Sequence, residues 1–140
     1  MKKYLKLFLV IGWMFVIYYF SNQNGTVSSG LSDRFVNEAY KLFFTSFDYV
    51  KFKAIGSFII RKLAHISEYF VLAILWCSFL KELNVRRYLL YGFILTVIYA
   101  GFDEFHQLFV LDRSGSVIDV GIDAFGALLG QYGYRLWSKR

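Results

Sequence analysis

With 140 residues, 57% of them hydrophobic and 21% aromatic, and a mean hydropathy of +0.45, the chain is too apolar for an ordinary soluble domain and calls for a bilayer as solvent. The formal net charge of +6 comes from sixteen Lys and Arg residues scattered between apolar stretches. That pattern excludes a nucleic-acid footprint and makes the basic residues topology signals. The lone Cys77 lies inside an apolar run, which excludes an intramolecular disulfide and a paired-cysteine metal motif; no cofactor and no metal are expected.

The first apolar run, residues 4–20, follows Lys2 and Lys3 and includes Lys6. A basic start also suits a signal peptide, but the aromatic density and the lack of a small-residue cleavage site predict a retained helix. Ser21, Asn22 and Gln23 close it. Residues of about 31–58 form an interfacial segment, in which Leu31, Phe35, Ala39, Leu42 and Phe43 recur at helical spacing opposite Asp33, Asn37, Glu38 and Lys41. This predicts an amphipathic helix on the membrane surface. Phe47, Tyr49, Phe52, Ile55 and Phe58 continue its interfacial aromatic content. The second span covers about 63–80, with Arg61 and Lys62 at its entrance and Lys81 at its exit. The third covers about 88–110 and is apolar to Phe102, and the fourth covers about 117–137. Each is near the roughly 20 residues that cross about 30 Å of hydrocarbon. The expected fold is all-α: one domain over 1–140, a polytopic membrane bundle of about four transmembrane helices with an amphipathic interfacial helix between the first and second.

Orientation follows from the basic residues. Lys2, Lys3, Lys6, Lys81, Arg86, Arg87, Arg135, Lys139 and Arg140 fall on one side, accompanied only by the acidic Glu82, whereas six of the other seven lie in the long first connection. The charge rule therefore predicts a multi-pass protein with both termini cytoplasmic.

Ionisable side chains inside spans are costly and need a reason. Lys62, His65, Glu68 and Tyr69 share a face at the start of the second span. At the end of the third, Asp103, His106 and Gln107 share a face while Glu104 points about 100° away. The fourth opens with Ser116, Asp119 and Asp123, continued in one stripe by Gly126 and Gly130, a small-xxx-small pair that turns the aspartates toward protein. In antiparallel spans these groups, with Gln23, meet at one membrane face, which is the outer one in this orientation. A scaffold role stands beside a functional one: Arg113 could pair with Asp119 or Asp123, and Lys62 with Glu68, simply holding the bundle together.

These residues resemble the VanZ-like family of small bacterial integral membrane proteins. The resemblance rests on Phe20, Ser21, Gln23, Lys62, His65 and Tyr69, and on the run Asp103, Glu104, His106, Gln107, Arg113, Ser116, Asp119, Gly126, Gly130. The family pattern carries Pro where this chain has Asn24, Pro-Gly where it has Leu111 and Asp112, and usually Asn where it has Asp123. The resemblance implies a bacterial cytoplasmic membrane protein that alters susceptibility to the glycopeptide teicoplanin.

Two main functions stay open, and with them whether the chain is an enzyme. In the first, Gln23, Lys62, His65, Glu68, Tyr69, Asp103, Glu104, Gln107, Arg113, Ser116, Asp119 and Asp123 recognise a lipid head group, a lipoglycopeptide or a lipid-linked cell-wall precursor at the outer interface. Lys62 and Arg113 would then contact an anionic group. In the second, the chain is a membrane hydrolase or transferase, and His65 with Glu68, or Asp103 or Glu104 with His106, act as acid/base pairs. A small transporter is a further alternative. Membrane lipids are the expected partners, and nucleic acid is not.

Overall fold

The computed structural model describes residues 2–44 and 48–138, apart from the side chains of Val27, Ser28, Leu31 and Phe43. The expected roles of Leu31, Phe43, Phe47, Lys139 and Arg140 therefore lie outside the described residues. Five helices follow one another: α1 Lys2–Ser21, α2 Gly25–Phe43, α3 Tyr49–Glu82, α4 Tyr88–Gln107 and α5 Val117–Trp137. No strand occurs among the described residues. Three of these helices, α1, α3 and α4, are long and apolar enough to cross a membrane. The fourth expected span, α5, has 21 residues and so a length of about 31 Å, with Asp119, Asp123 and Arg135 lowering its hydropathy.

Apolar side chains point both ways from the bundle. Val10, Ile17, Tyr69, Leu72 and Ala100 are fully buried and form the core, while Phe8, Phe15, Ile98 and Leu136 remain exposed, as a bilayer-facing surface requires. The helices α3 and α5 run parallel, since Lys62 meets Asp119 and His65 meets Asp123 in ascending register. Their backbones touch lower down. A Cβ on Gly126 would collide with the Ile66 carbonyl, and one on Gly130 with the Phe70 carbonyl, so the small pair permits this approach. Against both, α4 runs antiparallel, and Gln131 Nε2 near the end of α5 donates to the Leu89 carbonyl near the start of α4, at 2.5 Å. The first helix is built into the bundle: Trp13 Nε1 donates to the Glu68 carbonyl at 2.9 Å, Tyr99 Oη to the Met14 carbonyl at 2.6 Å, and Lys6 pairs with Glu82 at 2.7 Å.

The largest departure from expectation is α3, which begins at Tyr49 instead of near residue 63. Asp48 caps it by accepting from the Val50 and Lys51 amides, and the chain contains no proline to break it. Its 34 residues make a rod of about 51 Å, longer than the roughly 30 Å hydrocarbon layer. The first turns of α3 therefore stand above the rim, and α2 packs on them instead of lying free on the membrane. Val36 is 2% exposed and sits over Gly56, where a Cβ would meet both valine methyls at 3.0 Å. Around that contact, Ser57 Oγ donates to Asp33 at 2.5 Å, Lys53 pairs with Asp33 at 2.9 Å, and Tyr49 Oη donates to Asn37 at 2.7 Å. The Ser57 hydroxyl, and then the Lys53 ammonium, hold the Asp33 carboxyl below the usual carboxylate range. Helix α4 stops at Gln107, short of the expected residue 110, and Leu108, Phe109 and Val110 follow in turns that close on residues 105–107.

Candidate functional site

The rim that carries Lys62 and Asp119 contains a cavity of ≈ 450 Å³. Its walls come from the end of α1 and the residues that follow it, from α2, from the upper part of α3, from the end of α4, from the α4–α5 connection and from the first turn of α5. Of the residues expected at the site, Gln23, Lys62, His65, Glu68, Asp103, Gln107, Arg113 and Asp119 line it. Asp103 and Gln107 are both buried and linked, the Gln107 amide donating to Asp103 Oδ2 at 3.1 Å. Lys62 is ion-paired with Asp119, not with Glu68, because the parallel register of α3 and α5 sets position 62 beside 119. Its ammonium also lies 5.3 Å from the Phe58 ring centroid, a cation–π distance.

The position of Arg113 follows from the connection that bears it. The Asp112 backbone is left-handed, with φ 58°, a conformation that glycine adopts freely. Asp112 stands where the family pattern has glycine, so this chain keeps the bend with a costlier residue. Arg113 is thereby turned toward α1. Its Nε donates to the Gln23 carbonyl and its Nη2 to the Phe20 carbonyl, both at 2.9 Å. The Phe20 carbonyl also accepts from the Gln23 amide at 3.3 Å, so Arg113 reinforces a turn that closes α1. Arg113 pairs with neither Asp119 nor Asp123; it ties the α4–α5 connection to the end of α1. The Gly25 amide donates to the Leu111 carbonyl at 3.1 Å and makes the same tie from the other side.

Tyr69, Glu104, Ser116 and Asp123 do not line the cavity. Ser116 caps α5 by accepting from the Ile118 amide at 3.2 Å, while its own amide donates to Glu104 Oε2 at 2.8 Å. Asp123 is fully buried and Glu104 is 4% exposed. Asp123 Oδ1 lies 3.4 Å from His65 Nδ1, in ion-pair reach but without hydrogen-bond alignment. The Tyr69 hydroxyl, His65 Nδ1, Glu104 Oε1 and both Asp123 oxygens are buried without a hydrogen-bond partner among the described residues. His106 goes elsewhere. It stacks on Tyr18 with ring centroids 5.1 Å apart and reaches Asn22 Oδ1 at 3.3 Å, so the structure separates it from Asp103 and Glu104 as an acid/base partner.

Several cavity residues escaped the sequence reading: Ser32, Phe35, Phe58, Arg61, Asp112 and Ser114. Phe58, Lys62 and His65 follow one another at helical spacing, a signal hidden by starting the helix at residue 63. Arg61 precedes Lys62 on α3, and the others arrive from α2 and from the connection, where no periodicity within one helix reports them.

A family model described as VanZ/LLP1 matches residues 6–138. The chain belongs to the VanZ/LLP1 family. The match takes in α2 to α5 and all of α1 but its first four residues, so the rim cavity and the glycine seam both fall inside the family region. With its spanning helices, this makes the chain a VanZ-like membrane protein. No curated protein and no solved structure gives a significant match.

Proposed function

We propose that this VanZ-like protein recognises a lipid head group in the rim cavity, on the outer face of a bacterial cytoplasmic membrane with both termini cytoplasmic, and through it modulates susceptibility to teicoplanin-like lipoglycopeptides. The observation that carries this reading is the lining. A cavity of ≈ 450 Å³ at the rim of an apolar bundle combines Arg61, Lys62 and Arg113 with Glu68, Asp103 and Gln107, beside Phe20, Phe35 and Phe58. Cations suit a phosphate, the carboxylates and the amide accept from hydroxyl or ammonium groups, and the rings suit the first methylenes of a chain. The volume lies in the range of small-ligand sites, and suits a head group, or one end of a lipid-linked cell-wall precursor, better than a whole glycopeptide. Lys62 and Arg113 have protein partners, so Arg61 at the mouth is the cation best placed to meet a phosphate.

The test is lipid retention by the purified protein, read by native mass spectrometry after reconstitution in nanodiscs of mixed phosphatidylethanolamine and phosphatidylglycerol. Arg61→Ala and Phe35→Ala, both outside the ion-pair network, are expected to cut retained lipid at least about fivefold, roughly 1 kcal/mol. Equal retention by wild type and both variants removes the head-group reading. A chain that protects cells equally against acylated and non-acylated glycopeptides removes the link to lipoglycopeptides.

A further inference from the structure

We propose that His65, Glu104 and Asp123 hold a divalent metal ion, Zn2+ or Mn2+, beside the rim cavity. The three residues come from α3, α4 and α5, and one ligand atom from each lies within 4.8 Å of the other two. The same three residues carry buried polar atoms without hydrogen bonds, although His65 Nδ1 and Asp123 Oδ1 approach to 3.4 Å. His65 Nδ1, Glu104 Oε1 and both Asp123 oxygens are buried with no hydrogen-bond partner among the described residues, although Asp123 is 0% and Glu104 4% exposed. Burying a carboxylate without partners is costly. A divalent cation would give all three residues a partner at once.

The surroundings fit such a role. Glu104 Oε2 is fixed by the Ser116 amide at 2.8 Å, which leaves Oε1 turned toward the cluster. An outer contact of this kind orients a metal ligand. His65 belongs to the cluster and to the cavity lining, so a coordination position on that side opens toward the cavity. The donor set decides the class of ion. One imidazole with two carboxylates suits Zn2+ or Mn2+, whereas Ca2+ and Mg2+ prefer all-oxygen shells. Tetrahedral bonds of about 2.0–2.2 Å set two ligand atoms roughly 3.3–3.6 Å apart, so binding draws donors that now lie within 4.8 Å of one another together by up to about 1.5 Å. The pairs His65-x-x-Glu68 and Asp103-x-x-His106, which share helix-borne ligand spacing, do not form this site; it takes one residue from each of three helices.

This inference does not rest on the head-group reading, because Glu104 and Asp123 are not among the residues that line the cavity. The full chain, purified in detergent without chelator, is assayed for bound metal by mass spectrometry, then stripped and titrated with Zn2+, Mn2+, Mg2+ and Ca2+ while Tm is followed. The expected result is about one equivalent of Zn2+ or Mn2+ per chain, with a Tm rise of roughly 5 °C or more that Mg2+ and Ca2+ do not give. Asp123→Asn and Glu104→Gln keep side-chain volume and are expected to lose at least nine-tenths of the metal while retaining helical circular dichroism and elution volume. His106→Ala, on the α1 side, is expected to keep the full equivalent. No bound metal and no Tm response in the wild type overturns the proposal. So does metal retained by both carboxylate variants. Should those two variants fail to fold, His65→Gln read by Tm in the presence and absence of Zn2+ decides in their place: an undiminished Zn2+ response rejects the site.

Discussion

The helices α3 and α5 run side by side along two regions that solve the same packing problem in opposite ways. In the lower region, Gly126 and Gly130 let the backbones touch at Ile66 and Phe70, leaving no space for a side chain between them. In the upper region the same stripe of α5 carries Asp119 and Asp123, and the facing stripe of α3 carries Lys62 and His65. Close contact needs no charge, and charge needs the helices apart. The glycine seam thus anchors the pair, and the polar rim occupies the space that opens above it.

Three experiments would break or sharpen this contrast. The largest effect belongs to Gly130→Leu, whose side chain must displace the Phe70 carbonyl. A cost of about 3 kcal/mol or more is expected, measured as loss of folded protein on detergent size exclusion, and a normally stable variant would show that the seam does not hold the pair. The rim should respond more mildly. In a double-mutant cycle of Lys62→Met and Asp119→Asn, a coupling of about 1 kcal/mol is expected from the Tm values, since both side chains keep roughly a fifth of their exposure. A coupling as large as the seam's cost would erase the contrast. The smallest effect concerns the connection above the rim. Asp112→Gly relieves a left-handed residue and should raise stability by about 0.5 kcal/mol, whereas a lower Tm would mean that the Asp112 side chain contributes more than its backbone costs.

The seam was legible in the sequence, because Asp119, Asp123, Gly126 and Gly130 share one stripe of a single helix, and helical periodicity reports which residues share a face. It does not report which neighbour that face meets. Periodicity therefore offers Lys62 either an anionic ligand or Glu68 on its own helix, whereas the register of α3 against α5 delivers it to Asp119. His106 shares the face of Asp103 on paper, but in the bundle that side of α4 is divided between α1 and the cavity, and His106 falls to α1. The length of α3 was hidden for a related reason. The polar residues from Lys51 to Lys62 interrupt the hydropathy that marks a span, yet they leave backbone propensity intact, and only α2 packing on them reveals why they remain helical. Glu104 and Asp123 were recognised singly, whereas their meeting with His65 exists only once three helices are assembled.

Because α3 has no break between Tyr49 and Glu82, one continuous helix links the cavity wall to the far end of the bundle. Its last residue, Glu82, is clasped there by Lys6 of α1, while the end of α1 at Phe20 and the Gln23 just beyond it are held by Arg113. The first helix is thus fastened at both of its ends, so a change in how it sits must loosen one clasp or the other.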